Sequence, residues 1–170
     1  MDDVTELEYL SDLFRFRLQT LCTKLIAKNA ELKSQGMSAY DINMMATSDL
    51  IQDLAQAYAE RRTIDCCVDF LAGVQPAHDN KVMGAVFRVF ALGCVKRDLS
   101  FYINEKAIKP QAGANLLIAQ NSLIKTMATN VDDLLKLLAV PDEVLYAPPA
   151  QDYVGYFSRP NFGEVVAAKL

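Results

Sequence analysis

Apolar residues recur at helical spacing along most of the chain. Leu7, Leu10, Phe14, Leu18, Leu21 and Leu25 step by three and four, which draws one apolar stripe and predicts a helix over about 5–34. Gly36 follows, suited to the positive φ of a C-terminal cap. Ser38 and Asp41 then form a capping-box pattern with Asp in place of Glu. The second helix is expected over about 42–72. Because residues 43–49 mix Thr, Ser and Asp, its regular part is expected to start near Ser48. Leu50, Leu54, Tyr58 and Arg61 lie on its stripe, with Ile51 and Ala55 alongside. Arg61 and Arg62 are spaced to pair with Asp65, and as exposed pairs they would contribute only about 0.3–0.5 kcal/mol each.

Gly73, Pro76 and Asp79 mark a turn, with Asp79 as the expected N-cap of a third helix over about 79–104. Val82, Val86, Val89, Phe90, Leu92, Leu99 and Tyr102 make that helix apolar on most of its circumference, the pattern of burial on several sides. Gly84 and Gly93 would each weaken it by about 1 kcal/mol relative to Ala, so close approach of a neighbouring helix is expected there. Pro110 opens a fourth helix in its first turn. Leu116, Ala119, Leu123, Met127, Val131, Leu134 and Leu138 carry its stripe to about 139, before Pro141. With no alternating apolar–polar run, the pattern predicts an all-α protein: an antiparallel up-down four-helix bundle over residues 1–140. Residues 141–170 form an extended tail with four prolines and the aromatics Tyr146, Tyr153, Tyr156, Phe157 and Phe162. Residues 141–146 suit one helical turn. The aromatics call for a surface to pack on, either this bundle or another domain.

Composition narrows the classes. The 170 residues hold 17 Lys and Arg against 21 Asp and Glu, a net charge of −4, with 52% hydrophobic residues. That excludes the disordered class and a broad phosphate-binding footprint, so no nucleic-acid partner is expected. The acidic N-terminus lacks a signal-peptide layout, and the longest apolar stretch, 82–95, is too short for a bilayer and is interrupted by Arg88, so no membrane is expected. Cys22, Cys66, Cys67 and Cys94 read as buried, reduced thiols. His78 has no ligand-spaced partner, so no metal site is expected. No phosphate loop, dinucleotide fingerprint or nucleophile elbow occurs, and no catalytic or cofactor-binding residue is assigned. The carboxylate doublets Asp132–Asp133 and Asp142–Glu143 read as structural. Arg15, Arg17, Arg88 and Arg97 lie within apolar helices. They read as inter-helix ion pairs or snorkelling stems, or, for Arg88 or Arg15, as partners of a carboxylate across a domain interface.

The chain ends Ala168-Lys169-Leu170, a variant of the small–basic–leucine peroxisomal address that an import receptor reads at the free carboxylate. Four segments then carry a resemblance. They are Asp12-Leu-Phe-Arg-Phe-Arg17, Asp53-Leu-Ala-Gln-Ala-Tyr-Ala-Glu-Arg61, Arg97-Asp-Leu-Ser-Phe-Tyr102, and Pro141-Asp followed by Leu145 and Ala147-Pro148. In this order, the chain from about Leu7 to Tyr156 resembles the C-terminal α-helical domain of peroxisomal acyl-CoA oxidases. It departs from that pattern at Gln151–Gly155, where many relatives have an Asp-Gly pair.

The resemblance implies a place in peroxisomal fatty-acid β-oxidation. The complete enzyme uses FAD to convert acyl-CoA to the trans-2-enoyl-CoA and passes electrons to O₂, giving H₂O₂. Its flavin site and catalytic Glu lie in earlier parts that match nothing here. The chain is then expected to be a structural or dimerisation part, inactive alone, either a fragment or a separately encoded subunit. The implied partners are a flavin-bearing oxidase domain or subunit, in a homo- or hetero-oligomer. The other reading is a non-enzymatic helical interaction module derived from that domain.

Overall fold

The computed structural model describes residues 6–73 and 77–141, together with 152, 154, 155 and 158; for 77–80 it describes the backbone alone. Among these residues the protein is all-helical and has no strand. The elements are α1 (Leu7–Ser34), α2 (Ala39–Asp41), a π-helical turn (Ile42–Ala46), α3 (Ser48–Gly73), α4 (Ala77–Arg97), α5 (Leu99–Asn104), α6 (Pro110–Ala128) and α7 (Val131–Leu138). One compact unit runs to Val131 and a second begins at Asp132.

Local chemistry explains most of the boundaries. Gly36 ends α1 at φ 83°, with its N–H on the Lys33 carbonyl and that of Met37 on Leu32. The Ser38 hydroxyl accepts from the Asp41 N–H at 3.1 Å and donates to its carboxylate at 2.6 Å, but this cap starts only the short α2. The π-turn closes when the Thr47 N–H and hydroxyl both donate to the Ile42 carbonyl, at 2.9 and 2.8 Å. Only then does α3 start, at Ser48, as the mixed polar stretch indicates. α4 starts at Ala77, so Asp79 stands within its first turn and is not the N-cap.

The expected third and fourth helices are each interrupted once. Asp98 leaves helical geometry between α4 and α5, at φ −104° and ψ 21°. At Thr129 and Asn130, both side chains bond back to the Thr126 carbonyl, at 2.7 and 3.0 Å. Such bonds compete with the helical backbone and end α6. Ala139, at φ 45°, follows α7. Within the second unit, α7 carries Leu134, Leu135 and Leu138 on one side and Asp132, Asp133 and Lys136 around the other.

Contacts in the first unit fix the helix directions. Arg61 reaches Ser11 and Arg17 reaches Glu60, so α1 and α3 run antiparallel. The rings of Phe70 and Phe87 meet edge-on at 5.9 Å while Arg97 reaches Glu60, so α3 and α4 run antiparallel. Leu99 lies against Gly113 and Gln120 bonds the Val89 carbonyl, so α6 runs back along α4 and α5. α4 packs against α1, α3 and α6. Ala91, Leu92 and Val95 on it are buried with Leu10 and Phe14 of α1, Ile64 of α3, Tyr102 of α5 and Leu116 of α6. This matches its apolar circumference.

The glycine expectation needs correcting. A Cβ at Gly84 or Gly93 would meet its neighbours at 3.5 Å or more, ordinary contact. The close approach is at Gly113, where a Cβ would stand 3.2 Å from Leu99 Cδ1. On α3 the core-facing residues are Ala57, Glu60, Ile64 and Cys67. The Leu54–Tyr58 stripe lies beside that line, and Tyr58 is exposed.

Candidate functional site: a buried charge clamp and an apolar groove

Two features stand side by side on the α1/α3 hairpin. The first is a clamp of four charges. The Arg17 guanidinium, from the buried side of α1, donates to Glu60 on α3 at 2.8 Å and lies 2.9 Å from the Asp98 carboxylate. Arg97, at the end of α4, donates to Glu60 at 2.5 Å and to Asp98 at 2.8 Å. Gln56, one turn before Glu60, donates at 2.9 Å to the same Oε1 that Arg97 holds, while Arg17 holds Oε2. Arg17 and Glu60 have side chains only 6% and 10% exposed, whereas Arg97 is 47% exposed. Two cations and two anions cancel, which is what burial of charge requires.

The break at Asp98 belongs to this clamp, since its carboxylate answers Arg17 and Arg97 together. The Asp98 hydrogen bond, ahead of the opposing effect of burial, raises Arg97 further above its ordinary guanidinium range. Tyr102 packs beneath, 1% exposed, and burial raises its phenol well above the ordinary value of 10.0. Burial first, then Glu60, raises the Cys94 thiol; burial, then Cys66, raises Cys67. Both thiols are therefore protonated at neutral pH and are poor nucleophiles. The clamp holds charges in place. Both oxygens of Glu60 accept hydrogen bonds, Oε2 from Arg17 and Oε1 from Arg97 and Gln56.

The four arginines separate. Arg15 pairs with Asp12 within α1, exposed, at 3.0 Å, and Arg88 lies 3.7 Å from Glu6. Arg17, not singled out over the others by its sequence, is the buried one. Arg61 is also more than a surface partner of Asp65. It holds that carboxylate at 2.6 Å and donates to the Ser11 carbonyl at 2.8 Å and to the Ser11 hydroxyl, tying α3 to α1. On the other side of α1, Lys24 pairs with Glu105 and lies 5.4 Å from the Phe101 ring centre.

The second feature is an open groove of about 530 Å³ between α1 and α3, lined by Leu18, Gln19, Cys22, Ile51, Leu54, Ala55 and Tyr58. None of these side chains is charged at neutral pH. Cys22 and Cys66 are exposed while Cys67 and Cys94 are buried, so only two of the four thiols are core residues as expected. Past the groove, Ile26 on α1 and Tyr40, Met44 and Met45 in the connection to α3 are exposed.

No group of three or more His, Cys, Asp or Glu stands together as a metal site, and no helix is long and apolar enough to cross a membrane, among the described residues. Ala168, Lys169 and Leu170 lie outside the described residues, as do the side chain of His78 and the expected turn after Pro141.

The sequence matches the acyl-CoA oxidase family over residues 6–149, most of its length. The chain belongs to the acyl-CoA oxidase family. No curated protein and no solved structure matches it. The family match spans the charge clamp, the groove and both ends of the α1/α3 hairpin.

Proposed function

We propose that this chain is the C-terminal helical domain, or a separate subunit, of an acyl-CoA oxidase of peroxisomal fatty-acid β-oxidation. Its part is structural: to hold a flavin-bearing partner in a homo- or hetero-oligomer. The observation that carries this reading is the family match over residues 6–149. The antiparallel neighbours α1/α3, α3/α4 and α4/α6 support the up-down four-helix arrangement for this part.

The complete enzyme's FAD supplies the oxidation of the acyl chain and the reduction of O₂. The groove does not suit that cofactor, because its lining offers no cation for a pyrophosphate. Arg17 and Arg97 are held by carboxylates. The purified chain should be colourless and release no peroxide on adding acyl-CoA. A yellow preparation with stoichiometric flavin, or peroxide from the chain alone, overturns the reading.

Location follows from the family and from Ala168, Lys169 and Leu170, read by a peroxisomal import receptor. A fluorescent protein ending in these residues should enter peroxisomes and lose import when Leu170 is deleted. Cytosolic fluorescence with the intact ending removes the address.

A further inference from the structure

We infer that the π-helical turn before α3 is a site of reversible oxidation, where Met44 and Met45 take oxygen from hydrogen peroxide and methionine sulfoxide reductases remove it. The source of the peroxide rests on the reading of this chain as part of an oxidase that reduces O₂. The reactivity of the turn rests on its geometry alone.

Among the described residues, the exposed thioethers are gathered in one place. Met45 is 78% exposed, Met44 57% and Met37 37%, all within the connection between α1 and α3. Met83 on α4 and Met127 on α6 are half-buried. Oxidation of a methionine follows access to its sulfur, so the turn stands first in line.

The turn holds these side chains out and does not lean on them. Ile42 at its start and Thr47 just past its end are 6% and 2% exposed, whereas Asn43, Met44, Met45 and Ala46 between them are all exposed. The Thr47 N–H and hydroxyl close the turn on the Ile42 carbonyl. The backbone is thus fixed by its two buried ends, and neither methionine belongs to the core cluster. An oxygen added to either sulfur meets water and displaces no core residue. The same exposure opens the sulfoxide to a reductase.

The step balances with peroxide alone. The thioether sulfur attacks one peroxide oxygen, an S–O bond forms and the O–O bond breaks. The sulfur is oxidised by two electrons, and the departing hydroxide takes the proton of the transferred hydroxyl and leaves as water. A thioether has no proton to lose. In mildly acidic buffer, where thiols are slow nucleophiles, the reaction therefore stays on methionine.

The full-length chain tests this with hydrogen peroxide in such a buffer, oxygen uptake being followed at each methionine by peptide mass spectrometry. Met44 and Met45 should gain oxygen about tenfold faster than Met83 and Met127. The chain oxidised at the turn should keep its helical circular dichroism and its urea midpoint. Treatment with both methionine sulfoxide reductases, one for each sulfoxide epimer, should restore the thioethers.

Equal rates at all four positions, or earlier oxidation of Met83 or Met127, overturn the inference. So does a sulfoxide that the reductases leave in place. A lowered urea midpoint gives Met44 and Met45 a packing role and overturns it too. Selective, reversible uptake by a chain that binds no flavin-bearing oxidase partner upholds the site and removes the proposed function. Uniform uptake by a chain that does bind one refutes the site and leaves the proposed function standing.

Discussion

The two faces of α3 solve opposite problems. Towards the core, the line Ala57, Glu60, Ile64, Cys67 buries a carboxylate and surrounds it with Arg17, Arg97 and Gln56. Beside it, the line Ile51, Leu54, Ala55, Tyr58 leaves apolar surface in an open groove. Charge lies inside and hydrocarbon outside, the reverse of the usual division. The difference teaches which face specifies the fold. A buried ion must meet its partner or cost several kcal/mol, so the clamp allows one register of α1, α3 and α4. An apolar groove tolerates many occupants and selects none by itself.

Breaking the clamp should have the largest effect. Arg17→Ala removes the buried cation and leaves two carboxylates, Glu60 and Asp98, to share the half-exposed Arg97, and should cost about 3–5 kcal/mol, whereas Tyr58→Ala, on the exposed line, should change monomer stability by less than about 0.5 kcal/mol. Urea unfolding of both variants measures the contrast. Similar losses would mean that the clamp does not set the register.

A smaller and pH-selective effect should come from Tyr102 beneath the clamp. Burial raises its folded-state pKa above 10.0, so the folded state keeps the proton after the unfolded chain has lost it. Its contribution is complete below about pH 10 and is lost as the pH rises through the folded pKa, at up to about 1.4 kcal/mol per pH unit for one proton. Stability measured between pH 8 and 11 should fall at the alkaline end, and Tyr102→Phe should flatten the fall. An unchanged slope would assign it to other groups.

The same two faces show what was legible in the sequence. The α1 stripe was readable because Leu7, Leu10, Leu13, Phe14 and Leu21 outnumber the buried Ser11 and Arg17 on its inner side. α3 misled because Glu60 occupies its core line. One buried charge makes the inner face look polar, so the neighbouring line of Leu54 and Tyr58 takes its place in the pattern. The arginines were visible as candidate ion pairs, but Glu60 lies 43 residues from Arg17 and no spacing rule selects it. The break at Asp98 was hidden for the same reason, because it answers charges supplied by α1 and α3. The groove went unread because its walls come from two helices. The late start of α3 was legible because the polar mixture before Ser48 is a local feature.

The clamp also sets an order of events during synthesis. Arg17 and Glu60 emerge first and can meet as soon as α1 and α3 form a hairpin, but Arg97 and Asp98 follow only with the end of α4. Until then the nascent hairpin holds one neutral pair in a half-built interior. The second pair arrives together, adjacent in the chain, and adds no net charge. A ribosome-bound chain therefore passes from an incomplete to a complete core without ever sheltering an uncompensated ion, provided the two halves dock in the order in which they are made.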